Sequence, residues 1–144
     1  DGTMKWITLV VWLITAVGGF TLLGIWLQRG GMGSPATRRF PKALPWLHGL
    51  LAVASLVLFL VYLFADADAL KPVVLIGLVL TAALGIAMFV MWLGRLRVQR
   101  SPAVGADVAS APEDHFPNAV VALHGIAAVA TLILYIVAAF VVAS

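Results

Sequence analysis

Two histidines lie inside apolar stretches of this chain, and the stretches match. "FPKALPWLHGLLAVASLVL" (40–58) and "FPNAVVALHGIAAVATLIL" (116–134) align without a gap, and eleven of nineteen positions are identical. His48 and His124 occupy the same place in both copies, seven residues after Pro41 and Pro117. Imidazole can move a proton, bond a neighbouring polar group or ligate a metal. Inside an apolar helix such a side chain is costly and normally has a partner. No Asp, Glu, Lys or Arg lies in the middle of any apolar run, so the pair has no charged partner and the acidic relay of a proton-coupled transporter is missing. Seven residues of helix rise ~10 Å, which sets both imidazoles at one depth. On diagonal helices of a four-helix bundle, with axes on the order of 14 Å apart, the two rings leave room between them for one metal with its two axial bonds. Iron protoporphyrin supplies that iron and a flat apolar ring. The expectation is one haem b per chain with His48 and His124 as axial ligands.

The surrounding residues suit such a group. Gly49 and Gly125 follow the histidines, Ala52 and Ala128 lie one turn on, and Ser55 and Thr131 stand seven residues beyond on the same face. Gly19 and Gly85 offer matched small residues on the flanking helices, and Gly24 is nearby. Arg38, Arg39, Lys42, Arg95 and Arg97 are candidates to pair with the propionates, because guanidinium and carboxylate match well. Small residues also serve close helix packing, and loop arginines also set orientation, so these assignments are looser than the histidine pair. His115 and Met88 are reserve ligands. Two histidines with Met88 would suit Cu(I), whereas a structural zinc site wants four ligands.

The elements that must position the pair are helices. Of 144 residues, 63% are hydrophobic and 10% charged, a composition of integral membrane proteins. Four apolar runs, about Met4–Leu27, Leu44–Ala65, Val73–Leu93 and Ala119–Ala143, each reach the ~20 residues that cross a ~30 Å hydrocarbon layer. None alternates as a membrane strand would. The first run is too long for a signal peptide and lacks a small-residue cleavage site. Asp1–Thr3, ahead of Met4, are expected to be a cloning remnant. The chain has no cysteine, which removes disulfides, thiolate sites and covalent c-type haem attachment.

The histidine stretches belong to a larger repeat. "TAVGGFTLLGIWLQR" (15–29) matches "TAALGIAMFVMWLGR" (81–95) in Thr, Ala, Gly, Trp, Leu and Arg. The unit is therefore a two-helix hairpin present twice, at about 4–65 and 73–143, in one four-helix domain spanning 4–143. Two helices per unit give both copies one topology, so the pseudo-twofold axis runs along the membrane normal. The second loop is ten residues longer than the first, and 96–115, with its Ser, Ala and Pro, is expected to be a flexible linker.

Orientation follows from basic residues. Arg29, Arg38, Arg39, Lys42, Arg95, Arg97 and Arg100 flank one side, against Lys5 and Lys71 on the other. The positive-inside bias puts both longer loops in the cytoplasm and both termini outside, with Trp26, Trp46 and Trp92 as an aromatic belt. The same bias accounts for the net charge of +3 without a nucleic-acid partner.

On the histidine pair and the bundle, the transmembrane core resembles the small b-type membrane cytochromes, in which a four-helix bundle holds haem between histidines of different helices. Cytochrome b561-like proteins and the haem-bearing anchor subunits of quinone-linked dehydrogenases share this layout. Many such cytochromes carry a second histidine pair near the other face; this chain has none, so nothing in it argues for electron transfer across the full membrane. The resemblance implies one-electron exchange with a lipid quinone or a redox protein. Two axial ligands leave no open iron position, and almost no chain remains for a nicotinamide- or flavin-binding domain, so an electron-transfer protein is expected rather than a self-sufficient enzyme. Three other readings stay open: a haem storage or delivery protein with the same ligands, a colourless transporter or assembly subunit whose histidines only bridge helices, and a copper-binding membrane protein.

Overall fold

A computed structural model of the chain describes residues 2–35, 38–99 and 110–142, with the side chains of 95–99 outside the description. Four long helices run in the order α1 (Gly2–Gln28), α2 (Ala43–Ala65), α3 (Lys71–Gln99) and α4 (Asn118–Ile136), and no strand occurs among the described residues. All four are long and apolar enough to cross a membrane.

The helix starts follow their prolines. Pro45 and Pro72 fall in the first turns of α2 and α3, where a helix has no use for the missing N–H. Pro117, in extended backbone, directly precedes α4. At its other end α2 stops on Asp66, which takes a left-handed conformation (φ 47°), and a single short turn, Asp68–Leu70, leads into α3. The last turn of α4 widens over Val137–Val141, where Val142 N–H bonds the Val137 carbonyl.

Of the expected linker, residues 96–99 continue α3, whose helix-favouring residues run on without a break, and Pro112–His115 form a short turn. Residues 100–109 lie outside the described residues.

The starts of α1 and α3 and the ends of α2 and α4 share one end of the bundle. Lys5 pairs there with Asp66 at 3.4 Å, and the Tyr135 hydroxyl donates to the Lys71 carbonyl. A core of Leu9, Trp12, Phe59, Tyr62, Val74, Leu78, Tyr135 and Ala139 fills this lysine end. At the arginine end, Trp26, Phe40, Trp92 and Phe116 form a second core.

Helix pairing crosses the repeat. The dense packing joins α1 to α4 and α2 to α3, whereas α1 meets α2, and α3 meets α4, at few points. Each tight pair thus takes one helix from each copy of the repeat. Buried hydroxyls inside the pairs return to their own helix: Thr8 to the Met4 carbonyl, Ser55 to Leu51, Thr81 to Gly77 and Thr131 to Ala127. This satisfies them without a charged neighbour.

Candidate functional site

The two cores are separated by a level at which nothing is buried. From Ala16 to Ile25 on α1, Trp46 to Ala54 on α2, Ala82 to Met91 on α3 and Pro117 to Ala130 on α4, every residue retains some exposure. Ten helical residues span about 15 Å. This middle level, between the two cores, contains His48 and His124.

The two imidazoles are neighbours there, with ring centres 6.3 Å apart and planes crossed at 73°. Each is tied to the neighbouring helix of its own tight pair. His48 Nδ1 bonds the Thr81 carbonyl at 3.0 Å, and His124 Nδ1 bonds the Thr15 carbonyl at 2.9 Å. A carbonyl only accepts, so the proton of each ring sits on Nδ1 and the lone pair on Nε2. Neither Nε2 has a hydrogen-bond partner among the described residues. This is the state a metal-binding histidine adopts when its second nitrogen is anchored to the protein.

The spacing has a chemical meaning. A metal–imidazole bond is about 2.0–2.1 Å and the ring centre lies about 1.1 Å behind the nitrogen, so two imidazoles on opposite sides of one ion stand about 6 Å apart. No group of three or more His, Cys, Asp or Glu that could hold a metal gathers among the described residues.

Most of the expected small residues lie at this middle level. Ala52, Ala128 and Gly49 are partly exposed and Gly125 is exposed; a Cβ at Gly49 or Gly125 would meet nothing within 4 Å. The same holds for Gly24. Gly19 and Gly85 have a different place, directly under the imidazoles: a Cβ there would stand 3.1 Å from His124 Cε1 and 3.2 Å from His48 Cε1. Ser55 and Thr131 are buried below the level. The Thr131 hydroxyl bonds that of Thr15 at 3.0 Å, and Ser55 packs on Gly77.

Two of the five basic candidates, Arg38 and Arg39, are engaged with the protein itself. Arg39 forms a two-pronged pair with Asp114, Nε to Oδ1 at 3.1 Å and Nη2 to Oδ2 at 3.2 Å. Arg38 donates to the carbonyls of Gly33 and Phe40. Lys42 is half-buried immediately before α2, and the side chains of Arg95 and Arg97 lie outside the described residues. Of the reserve ligands, His115 is exposed at the arginine end with Nδ1 bonded to the Ala111 carbonyl, and Met88 packs against the Trp26–Trp92 core.

Three participants carried no signal that singles them out. The carbonyls of Thr15 and Thr81 belong to the backbone, which every residue shares, although both threonines open the matched repeat segments. Glu113, inside the expected linker, is fully buried and accepts from Trp26 Nε1, the Arg39 N–H and the Phe40 N–H. Comparison with known protein families, with characterised proteins and with solved structures finds no match to this chain.

Proposed function

We propose that the chain is a membrane-embedded b-type cytochrome that binds one haem between His48 and His124 and passes single electrons to or from a quinone or a partner redox protein. The observation that carries the reading is the pair itself: Nδ1 protons anchored on carbonyls, Nε2 lone pairs without partners among the described residues, and ring centres 6.3 Å apart. Two side-chain ligands at one level would suit a group that supplies its remaining ligands itself, as a haem would.

When bound, the haem would supply a one-electron iron couple with both axial positions filled. The residues of the chain do the rest. His48 and His124 approach from different tight pairs, so a flat group fits between the pairs, where packing is sparse. Gly49, Gly125, Ala52 and Ala128 leave space along the faces of that slot. The aromatic cores at either end exclude water from it. Arg38 and Arg39 are already bonded within the protein, which leaves Lys42 as the better candidate for the propionates among the described side chains.

The membrane setting is part of the proposal. Val17, Leu50, Phe64, Leu123 and Ile126 are all more than 60% exposed, far more apolar surface than a soluble monomer leaves in water, and lipid would cover it. The two hairpin repeats then share a pseudo-twofold axis along the membrane normal, with the arginine end cytoplasmic and both termini outside.

Absorption spectroscopy of the purified protein tests the function. A Soret band with sharp α and β bands on reduction is expected, and His48→Ala and His124→Ala should each lose the six-coordinate low-spin spectrum. A colourless preparation that takes up no haem would sink the cytochrome reading, as would either alanine variant keeping the wild-type spectrum. Stopped-flow mixing with a soluble quinol separates electron transfer from haem handling. Slow reduction by every quinol and protein donor, with ready haem transfer to an apo-acceptor, would favour storage or delivery.

A further inference from the structure

The two imidazoles rest on one device used twice. Thr15 and Gly19 on α1 stand four residues apart, as do Thr81 and Gly85 on α3, and the two sets are equivalent in the repeat. In an α-helix the carbonyl of residue i points towards residue i+4. With glycine at that place, no side chain covers the threonine carbonyl, and an imidazole from the adjacent helix can lie on the bare backbone and donate to it. The close approach of each ring to its glycine and the 2.9–3.0 Å bonds to Thr15 and Thr81 show both halves of the device engaged. The two rings so anchored cross at 73°.

We propose that Gly19 and Gly85 are positioning residues which, together with the Thr15 and Thr81 carbonyls, hold the His48 and His124 imidazoles in crossed planes, an arrangement that would tune a haem iron held between them. The inference rests on the cytochrome reading. On a haem iron bound by both histidines, parallel rings would donate π density to one iron d orbital and split it from its partner, whereas crossed rings would donate to both and keep them close in energy. The Nδ1–H bond to a carbonyl adds a second effect, since it makes the Nε2 lone pair a stronger donor.

The device is not quite symmetric. Gly18 also lies against His124, where a Cβ would be 3.2 Å from the histidine Cβ, whereas its repeat equivalent is Leu84. His124 therefore rests on two glycines and His48 on one.

Electron paramagnetic resonance of the oxidised holoprotein tests this. The expected spectrum has a single steep low-field feature of large g anisotropy, as crossed planes require. Gly19→Ala and Gly85→Ala push a methyl group into the ring edge while supplying a better helix former, so the helices themselves should not weaken. Each is expected to move the spectrum towards the three-line rhombic form and to weaken haem binding about 10-fold or more. Gly94→Ala, where a Cβ meets nothing within 4 Å, should change neither. Nitrogen-15 NMR of the apoprotein gives an independent readout, with protonated Nδ1 expected at both histidines and lost at the adjacent histidine in each variant. A rhombic wild-type spectrum, or glycine variants with wild-type spectrum and affinity, would overturn this inference alone. A preparation with no Soret band removes the cytochrome reading and this inference with it.

Discussion

The indole N–H of Trp26, near the end of α1, donates to the Glu113 carboxylate at 2.8 Å across the arginine end of the bundle. The same carboxylate accepts the backbone N–H groups of Arg39 and Phe40 at 3.1 and 3.2 Å. One buried acid thus ties α1, the segment ahead of α2 and the turn ahead of α4 into a single knot, above which Arg39 pairs with Asp114. Gly31 takes part as well, because a Cβ there would collide with the Trp26 ring.

Glu113→Ala should therefore be strongly destabilising. It leaves three N–H donors without an acceptor in a buried place, at about 1–3 kcal/mol each. A loss of at least about 3 kcal/mol is expected, seen as a lower Tm of the detergent-solubilised protein. Glu113→Gln keeps a carbonyl acceptor and should lose clearly less. Equal Tm values for the wild type and the alanine variant would refute the knot.

The reserve ligands should be dispensable. His115 is exposed at one end, and Met88 belongs to the packing around Trp26 and Trp92. His115→Ala and Met88→Leu are both expected to leave the absorption spectrum of the cofactor-loaded protein unchanged. Loss of metal in Met88→Leu, with copper found by elemental analysis, would support the copper reading instead.

Packing of α2 on α3 depends on Gly77. A Cβ at this position would clash with the Ser55 hydroxyl, which already bonds the Leu51 carbonyl. Gly77→Ala should cost about 1–3 kcal/mol through overpacking, despite the better helix propensity of alanine. Gly24→Ala, with open space at its Cβ, serves as the control in the same thermal assay.

Sidedness can be read chemically, since the chain has no cysteine of its own. Single cysteines at the exposed positions Met32 and Ala69 lie at the arginine and lysine ends. An impermeant maleimide added to intact cells should label Ala69→Cys and spare Met32→Cys. The opposite pattern would invert the topology.

Much of the architecture was legible in the residues alone. Hydropathy and length are properties of a segment by itself, so the four long apolar helices were visible, with α3 ending later than its apolar run because the helix continues through the polar residues to Gln99. The common level of His48 and His124 was visible too, since equal spacing from Pro41 and Pro117 and a constant rise per residue set it. What only the tertiary structure decided is which faces meet. The repeat pattern describes hairpins, yet the tight pairs are α1 with α4 and α2 with α3, because each histidine face fits the threonine–glycine face of a helix from the other copy. The acceptors for both imidazoles are backbone carbonyls, which are alike in every residue and become distinct only when a neighbouring helix leaves them uncovered. The same holds for Glu113 and Arg39. Their residue types suggested a solvated loop and a propionate partner, but the folded chain brings them to Trp26 and Asp114, and contact across more than seventy residues of sequence is settled by packing.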